Sequence, residues 1–143
     1  MLVYLDNCCY NRPYDEQTQD RIAQESQAKL IIQKAIREGE IELATSYMTE
    51  YENSKNPSSM RKEHIQSFQN QFATVYVSEL IDVSDLQKEI EATGVKLKDA
   101  CHVACAIKAK CEFFITTDDR LLKYKTDSIR LLNPIEFIKL LEV

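Results

Sequence analysis

Alternation is the feature that most constrains this chain. Short apolar runs (LVYL, IELATS, EFFITT and SIRLLNP) are separated by stretches whose apolar residues recur every three or four positions. The short runs read as strands buried on both faces, and the longer stretches as amphipathic helices. After LVYL, the first helical pattern spans roughly 17–37, with Ile22, Ala28, Ile31, Ile32, Ala35 and Ile36 in step. Gly39 follows, where a residue tolerant of positive φ ends a helix. Ser46 closes IELATS and starts a short helix through YMTEYEN; KNPSS breaks it, and SMRKEHIQSFQNQF begins another. Val75 to Val77 reads as a weak strand, 80–93 and 98–110 as helices, and DDRLLKYK as a short helix after EFFITT. Pro134 opens a last helix, and NCCYNRPYDEQ reads as a polar loop. Strands alternating with helices predict a three-layer α/β/α sandwich around a mostly parallel sheet, with residues 1–143 as one domain.

Charge and composition narrow the function. The net charge is −5, which argues against a protein that merely coats nucleic acid. It does not argue against an enzyme whose carboxylates hold cations, because the metal supplies the local positive charge. Two glycines in the whole chain leave no GxGxxG or GxxxxGK[ST] phosphate loop. No apolar run approaches the ~20 residues of a membrane span, and no basic segment precedes a long apolar one as in a signal peptide. Five cysteines, two of them adjacent, make a poor disulfide framework and read as reduced thiols in a cytoplasmic protein.

In a parallel α/β sheet, functional groups gather beyond the carboxyl ends of the strands. Acids stand at the corresponding places in this sequence. Asp6 follows LVYL, Glu50 and Glu52 lie in the helix after IELATS, Asp99 opens KDACHVACAIKAK, and Asp118 and Asp119 follow FFITT. Each has an ordinary reading as a turn or helix-capping residue. Brought together, however, such carboxylates repel one another and are stable around a hard divalent cation. A cation so held suits phosphodiester hydrolysis.

These residues resemble a known family. VYLDNCCYNRPYDEQ, ATSYMTEYENSKNP and GVKLKDACHVACAIKAKCEFFITTDDRLL are similar to PIN-domain proteins, in particular the VapC-like ribonuclease toxins. The family's DAxHxAxA pattern corresponds to Asp99 through Ala106, and its strand-TxD pattern to Thr116-Thr117-Asp118. The resemblance implies an endoribonuclease that uses Mg²⁺ or Mn²⁺, an RNA substrate and an antitoxin protein as partner. It matches Asp6, Asp99 and Asp118 to the first, third and fourth family acids. The family spacing of a serine and a glutamate six residues on selects Glu52 from Ser46, with Glu50 and Asp119 as lesser candidates. Asn7, Ser46 and Thr116 are candidates to orient carboxylates; Arg12, and Arg120 and Lys123 at the opposite rim, read either as solvated surface charges or as groups that meet a substrate phosphate, with Arg12 the best placed of the three.

Other features carry less. His102 reads as a packed, hydrogen-bonded helix histidine, and the cysteines as core rather than as a zinc site of Cys8, Cys9, Cys101, His102 and Cys105. Tyr47, Phe68 and Phe72 would form a homodimer face if exposed. Two other functions compete with the nuclease: a binding module on the same scaffold with structural acids, and a phosphoacceptor receiver domain. The receiver needs an acidic pair after the first strand and a lysine after the last, and this sequence has neither.

Overall fold

The computed structural model describes residues 1–141. Its sheet consists of β1 (Leu2–Leu5), β2 (Glu42–Ser46), β3 (Ala73–Val77), β4 (Phe113–Ile115) and β5 (Arg130–Leu132). Every pairing is parallel, and the order is β3-β2-β1-β4-β5. The chain builds outward from β1 through β2 to β3, then crosses to lay down β4 and β5 on the other side. The topological switch point therefore lies between β1 and β4, where Asp6 N–H donates to the Ile115 carbonyl at 2.9 Å.

The two-residue period of the strands divides the core into two layers. Tyr4, Ala44 and Phe114 face α5 (Ser84–Glu91) and α6 (Leu97–Lys108). Val3, Leu5, Leu43 and Ile115 face the other layer, built by α1 (Asn7–Asn11), α2 (Asp20–Arg37), α4 (Ser59–Phe72) and α8 (Pro134–Leu141). The expected α/β/α sandwich is thus present, with a sheet that is parallel throughout. In α6, Ala100, Cys101, Ala104, Cys105 and Ala106 are all buried, and their small side chains let the helix lie close to the sheet. Two further helices follow strand ends: α3 (Tyr47–Ser54) directly after β2, and α7 (Asp119–Leu122) after β4 by way of Thr116, Thr117 and Asp118.

Three expectations are corrected. NCCYN is helical, not loop: the Asp6 carboxylate caps it, Cys9 and Tyr10 are buried beneath it, and a 3₁₀ turn at Arg12–Tyr14 follows. The helix expected from Leu80 begins at Ser84. Leu80 and Ile81 sit in an exposed turn, and Asp82 accepts the Ser84 N–H at 2.9 Å. Tyr47, Phe68 and Phe72 do not make an exposed face. Phe68 is buried, and the other two are half-buried against the two core layers. Gly39 ends α2 with φ of 75°, as its position suggests. Among the described residues, no helix is long and apolar enough to cross a membrane.

Candidate functional site

Asp6 and Asp118 stand at the carboxyl ends of β1 and β4, flanking the switch point. Each also caps a helix, so the ordinary and the functional readings of these residues coexist. Asp6 Oδ1 accepts the Asn7 N–H at 2.8 Å, while Oδ2 accepts from Thr116 Oγ1 at 2.8 Å. Asp118 Oδ1 accepts the Arg120 N–H at 2.9 Å, and among the described residues its other oxygen has no donor. Thr116 couples the two, since its Oγ1 also accepts the Asp118 N–H at 3.1 Å. The expected orienting role of Thr116 therefore has a geometry.

Asp99 lies in the first turn of α6, where the helix dipole favours an anion. Its half-buried carboxylate takes no hydrogen bond from any described residue. Burial, and then the charges of Asp6, Asp118 and Glu52, push its pKa up to about 6, with His102 acting in the opposite sense. Asp99 is thus within electrostatic reach of carboxylates from three other segments.

Glu52 is held differently. His102 Nε2 lies 2.7 Å from Glu52 Oε1, and His102 Nδ1 lies 2.6 Å from the Tyr4 hydroxyl. That hydroxyl also meets Ser46 Oγ at 2.6 Å and Thr49 Oγ1 at 2.9 Å. Burial alone would raise the Glu52 pKa, but the hydrogen bond and charge of His102, with Lys98 beyond, hold it below the usual value. Burial likewise disfavours a charged His102; Glu52 and Asp6 override it and raise the His102 pKa. His102 is fully buried and hydrogen-bonded, as expected. What the sequence did not reveal is that it locks Glu52 to the β1 core through Tyr4. Its position three residues after Asp99 was the available signal; Tyr4, inside an apolar run, offered none. Ser46 acts at one remove, through Tyr4, and touches no carboxylate.

The remaining candidates are placed elsewhere or in part. Glu50 is exposed on a separate groove with Tyr76 and Glu79, turned away from Glu52. Asp119 makes a two-pronged pair with Arg21, both distances 2.6 Å, and so faces α2. Arg12 does not lean over the carboxylates. It pairs with the fully buried Glu25 at 3.0 Å and with Asp15 at 3.1 Å, because Glu25 could not be buried as an ion without such partners. Arg21 and Asn133 complete the shell of Glu25. Asn7 lines a cleft with Glu52, and its Oδ1 is buried without a hydrogen-bond partner among the described residues. All five cysteines are unpaired. Cys9 and the Cys101–Cys105 pair lie in different core layers, so they do not form the zinc set. Cys8 packs half-buried against the core layer that holds Cys9, as expected, and it also lies 3.5 Å from Asp6 Oδ2 and 3.4 Å from Thr116 Oγ1.

The donor set is all oxygen, which suits a hard cation such as Mg²⁺ or Mn²⁺. Among the described residues, no three His, Cys, Asp or Glu side chains close around a common point tightly enough to wrap an ion by themselves. Mg²⁺ does not require such a cage, because it keeps most of its water and binds through one or two carboxylates. The mutual repulsion at Asp99 and the unpartnered Asn7 oxygen both fit a hydrated cation here.

No family model matches this chain, and no curated protein matches it either. Its likeness lies in solved structure. The chain is similar to the VapBC2 complex of Rickettsia felis bound to a DNA fragment from its promoter. The TM-score is 0.57 at 14% identity, over 93% of this chain and 98% of that one. The fold is PIN-like. At that identity the likeness speaks for architecture, and the chemistry has to be argued from the carboxylates.

Proposed function

We propose that this protein is a metal-dependent endoribonuclease and the toxin of a toxin–antitoxin pair. The observation that carries the reading is the convergence of Asp6, Glu52, Asp99 and Asp118, from four segments, on the carboxyl edge of a PIN-like sheet. The structural likeness to a chain of a toxin–antitoxin complex supports the second half.

Asp6, Glu52, Asp99 and Asp118 would hold Mg²⁺ or Mn²⁺, directly or through water. Bound there, the cation supplies positive charge against the phosphate and makes water a better nucleophile. The protein's own groups supply placement. Thr116 and the α1 cap fix both oxygens of Asp6, and the Tyr4–His102 chain fixes Glu52. Among the described residues, Asp99 and the second oxygen of Asp118 have no donor and are available to orient water. In hydrolysis the water oxygen bonds to phosphorus, one P–O ester bond breaks, and a proton passes from the water to the leaving oxygen. No Ser, Cys or His nucleophile is required.

Expression in a bacterial host tests the toxin reading. Wild-type protein should arrest growth with loss of intact RNA, and Asp6→Asn should leave growth normal. Normal growth with both, at equal soluble protein levels, contradicts it.

A further inference from the structure

Away from the carboxylates, a cavity of about 440 Å³ lies between α2 and α4. Tyr10, Lys29, Arg37, Ile65, Phe68 and Phe72 are among the residues that line it, and no described Asp or Glu does. Lys29 is its unusual member. It is only 7% exposed, yet no described acid lies within 4 Å of its ammonium group. The ammonium rests 5.8 Å from the centre of the Tyr10 ring and 6.0 Å from that of Phe68, and it donates to Gln33 Oε1. An ammonium carries three donors, so two remain for another acceptor. Burial pushes the Lys29 pKa down to about 8; Cys9 opposes this and Arg37 adds to it. A charge buried without a counter-charge is costly to keep. Nearby, the Tyr10 hydroxyl and the amide of the neighbouring Gln69 are buried with no hydrogen-bond partner among the described residues. A largely apolar cavity of this size with a few converging polar groups is the usual form of a small-ligand site.

We propose that this cavity binds a small carboxylic acid: the carboxylate would pair with the Lys29 ammonium, and an aromatic or aliphatic body would lie against Ile65, Phe68 and Phe72. One buried cation matches one negative charge, whereas a phosphate dianion would bring a second charge against an apolar wall. The exposed guanidinium of Arg37, 5.9 Å from the centre of the Phe68 ring, would draw the anion toward the cavity. The site is separate from the carboxylate edge of the sheet and does not depend on the nuclease reading.

The test is titration calorimetry on the full chain at pH 7, in a buffer without carboxylates. The probes are 1-naphthaleneacetate, its uncharged isostere 1-naphthaleneacetamide, and acetate, which has the charge without the body. Naphthaleneacetate should bind about tenfold or more tightly than either of the others, the margin expected of a charge-assisted hydrogen bond in a dry site. Lys29→Met should erase the preference for the acid over the amide. Without any probe, Lys29→Met should also melt at a higher temperature than wild type, because an uncompensated buried charge is gone; a lysine kept only for packing would give the reverse. Ser67→Trp places a bulky group at an exposed position of the cavity lining and leaves the core untouched, so it should weaken binding of both naphthalene probes about tenfold or more. Lys34→Met, on the exposed side of the same helix, should leave affinity and preference unchanged. No binding of naphthaleneacetate to wild type, equal binding of acid and amide, or a preference that survives Lys29→Met overturns the proposal. Tighter binding of a tetrapeptide amide carrying one glutamate among leucines would assign the cavity to a protein side chain, and overturns it as well.

Discussion

At the scale of single residues, the acids divide by how they are held. Asp6 and Asp118 give one oxygen each to a helix cap, Glu52 is bound to a buried histidine, and Asp99 is held by no donor among the described residues. Metal-binding carboxylates depend on the groups behind them, and removing such a group typically costs 10–100-fold in affinity. His102→Gln and Tyr4→Phe should therefore weaken Mn²⁺ binding in titration calorimetry by about 10-fold, with the fold retained by circular dichroism. In a Glu52→Gln background His102→Gln should add little, because both act through one carboxylate; additive losses would refute that chain. Glu50→Gln should change nothing, since Glu50 faces another groove, and a larger loss than from Glu52→Gln would reverse the choice of second acid. The pH dependence has a definite sign. Asp99 is raised to about 6 from an ordinary 3.8, so folding favours its protonated form, and its ionisation costs stability as pH rises from about 4 through 6. His102, also raised, adds stability that is complete below its unfolded value of about 6.5 and is lost as pH climbs through the folded one. Metal-free protein should thus melt at a lower temperature at pH 8 than at pH 5.5. Asp99→Asn should recover part of that loss, and a Tm that rises over this interval would contradict the account. The acids were legible in the sequence because chain position relative to strands is a one-dimensional property. The Tyr4–His102–Glu52 chain was not, because its members are separated by 50 and 98 positions and meet only through the fold.

Elements come next in scale, and here α6 has the most demanding packing. Its Ala100, Ala104 and Cys105 are buried at 0% exposure against the sheet, with no slack for larger side chains. Ala104→Leu should lower stability by about 1–3 kcal/mol in urea denaturation, the usual cost of overpacking. Displacement of α6 would also move Asp99, so the same variant should lose Mn²⁺ affinity; a stable, metal-competent variant would show that the helix can shift freely. The strands and the long helices were readable because their apolar periods persist over several residues, as in 17–37. NCCYN reads as loop because a helix of five residues, Asn7–Asn11, is too short to display a period, and its cap is an acid whose position suggests a different role. Leu80 and Ile81 mislead in the opposite way: they extend the apolar pattern of α5, yet lie exposed in the turn before it.

For the molecule as a whole, the strand order β3-β2-β1-β4-β5 brings the parts together. It sets β1 and β4 side by side at the switch point, and so sets Asp6 beside Asp118 although 112 positions separate them in sequence. The alternation of strands and helices implied a parallel sheet, but not which strands are neighbours, since pairing is a long-range choice. The buried Glu25, with Arg12 and Arg21, is likewise a product of tertiary structure; it took the arginine that the sequence suggested for substrate. The activity proposed for this edge of the sheet is RNA cleavage with the help of a divalent cation. The direct measurement is cleavage of a labelled single-stranded RNA in Mg²⁺ or Mn²⁺, with and without excess EDTA, by wild-type protein and by Asp6→Asn. Cleavage by wild type that EDTA abolishes, and that Asp6→Asn reduces by at least about a hundredfold, is the expected result. Cleavage that is equal in all four conditions, or absent from all of them with folded protein, would contradict it.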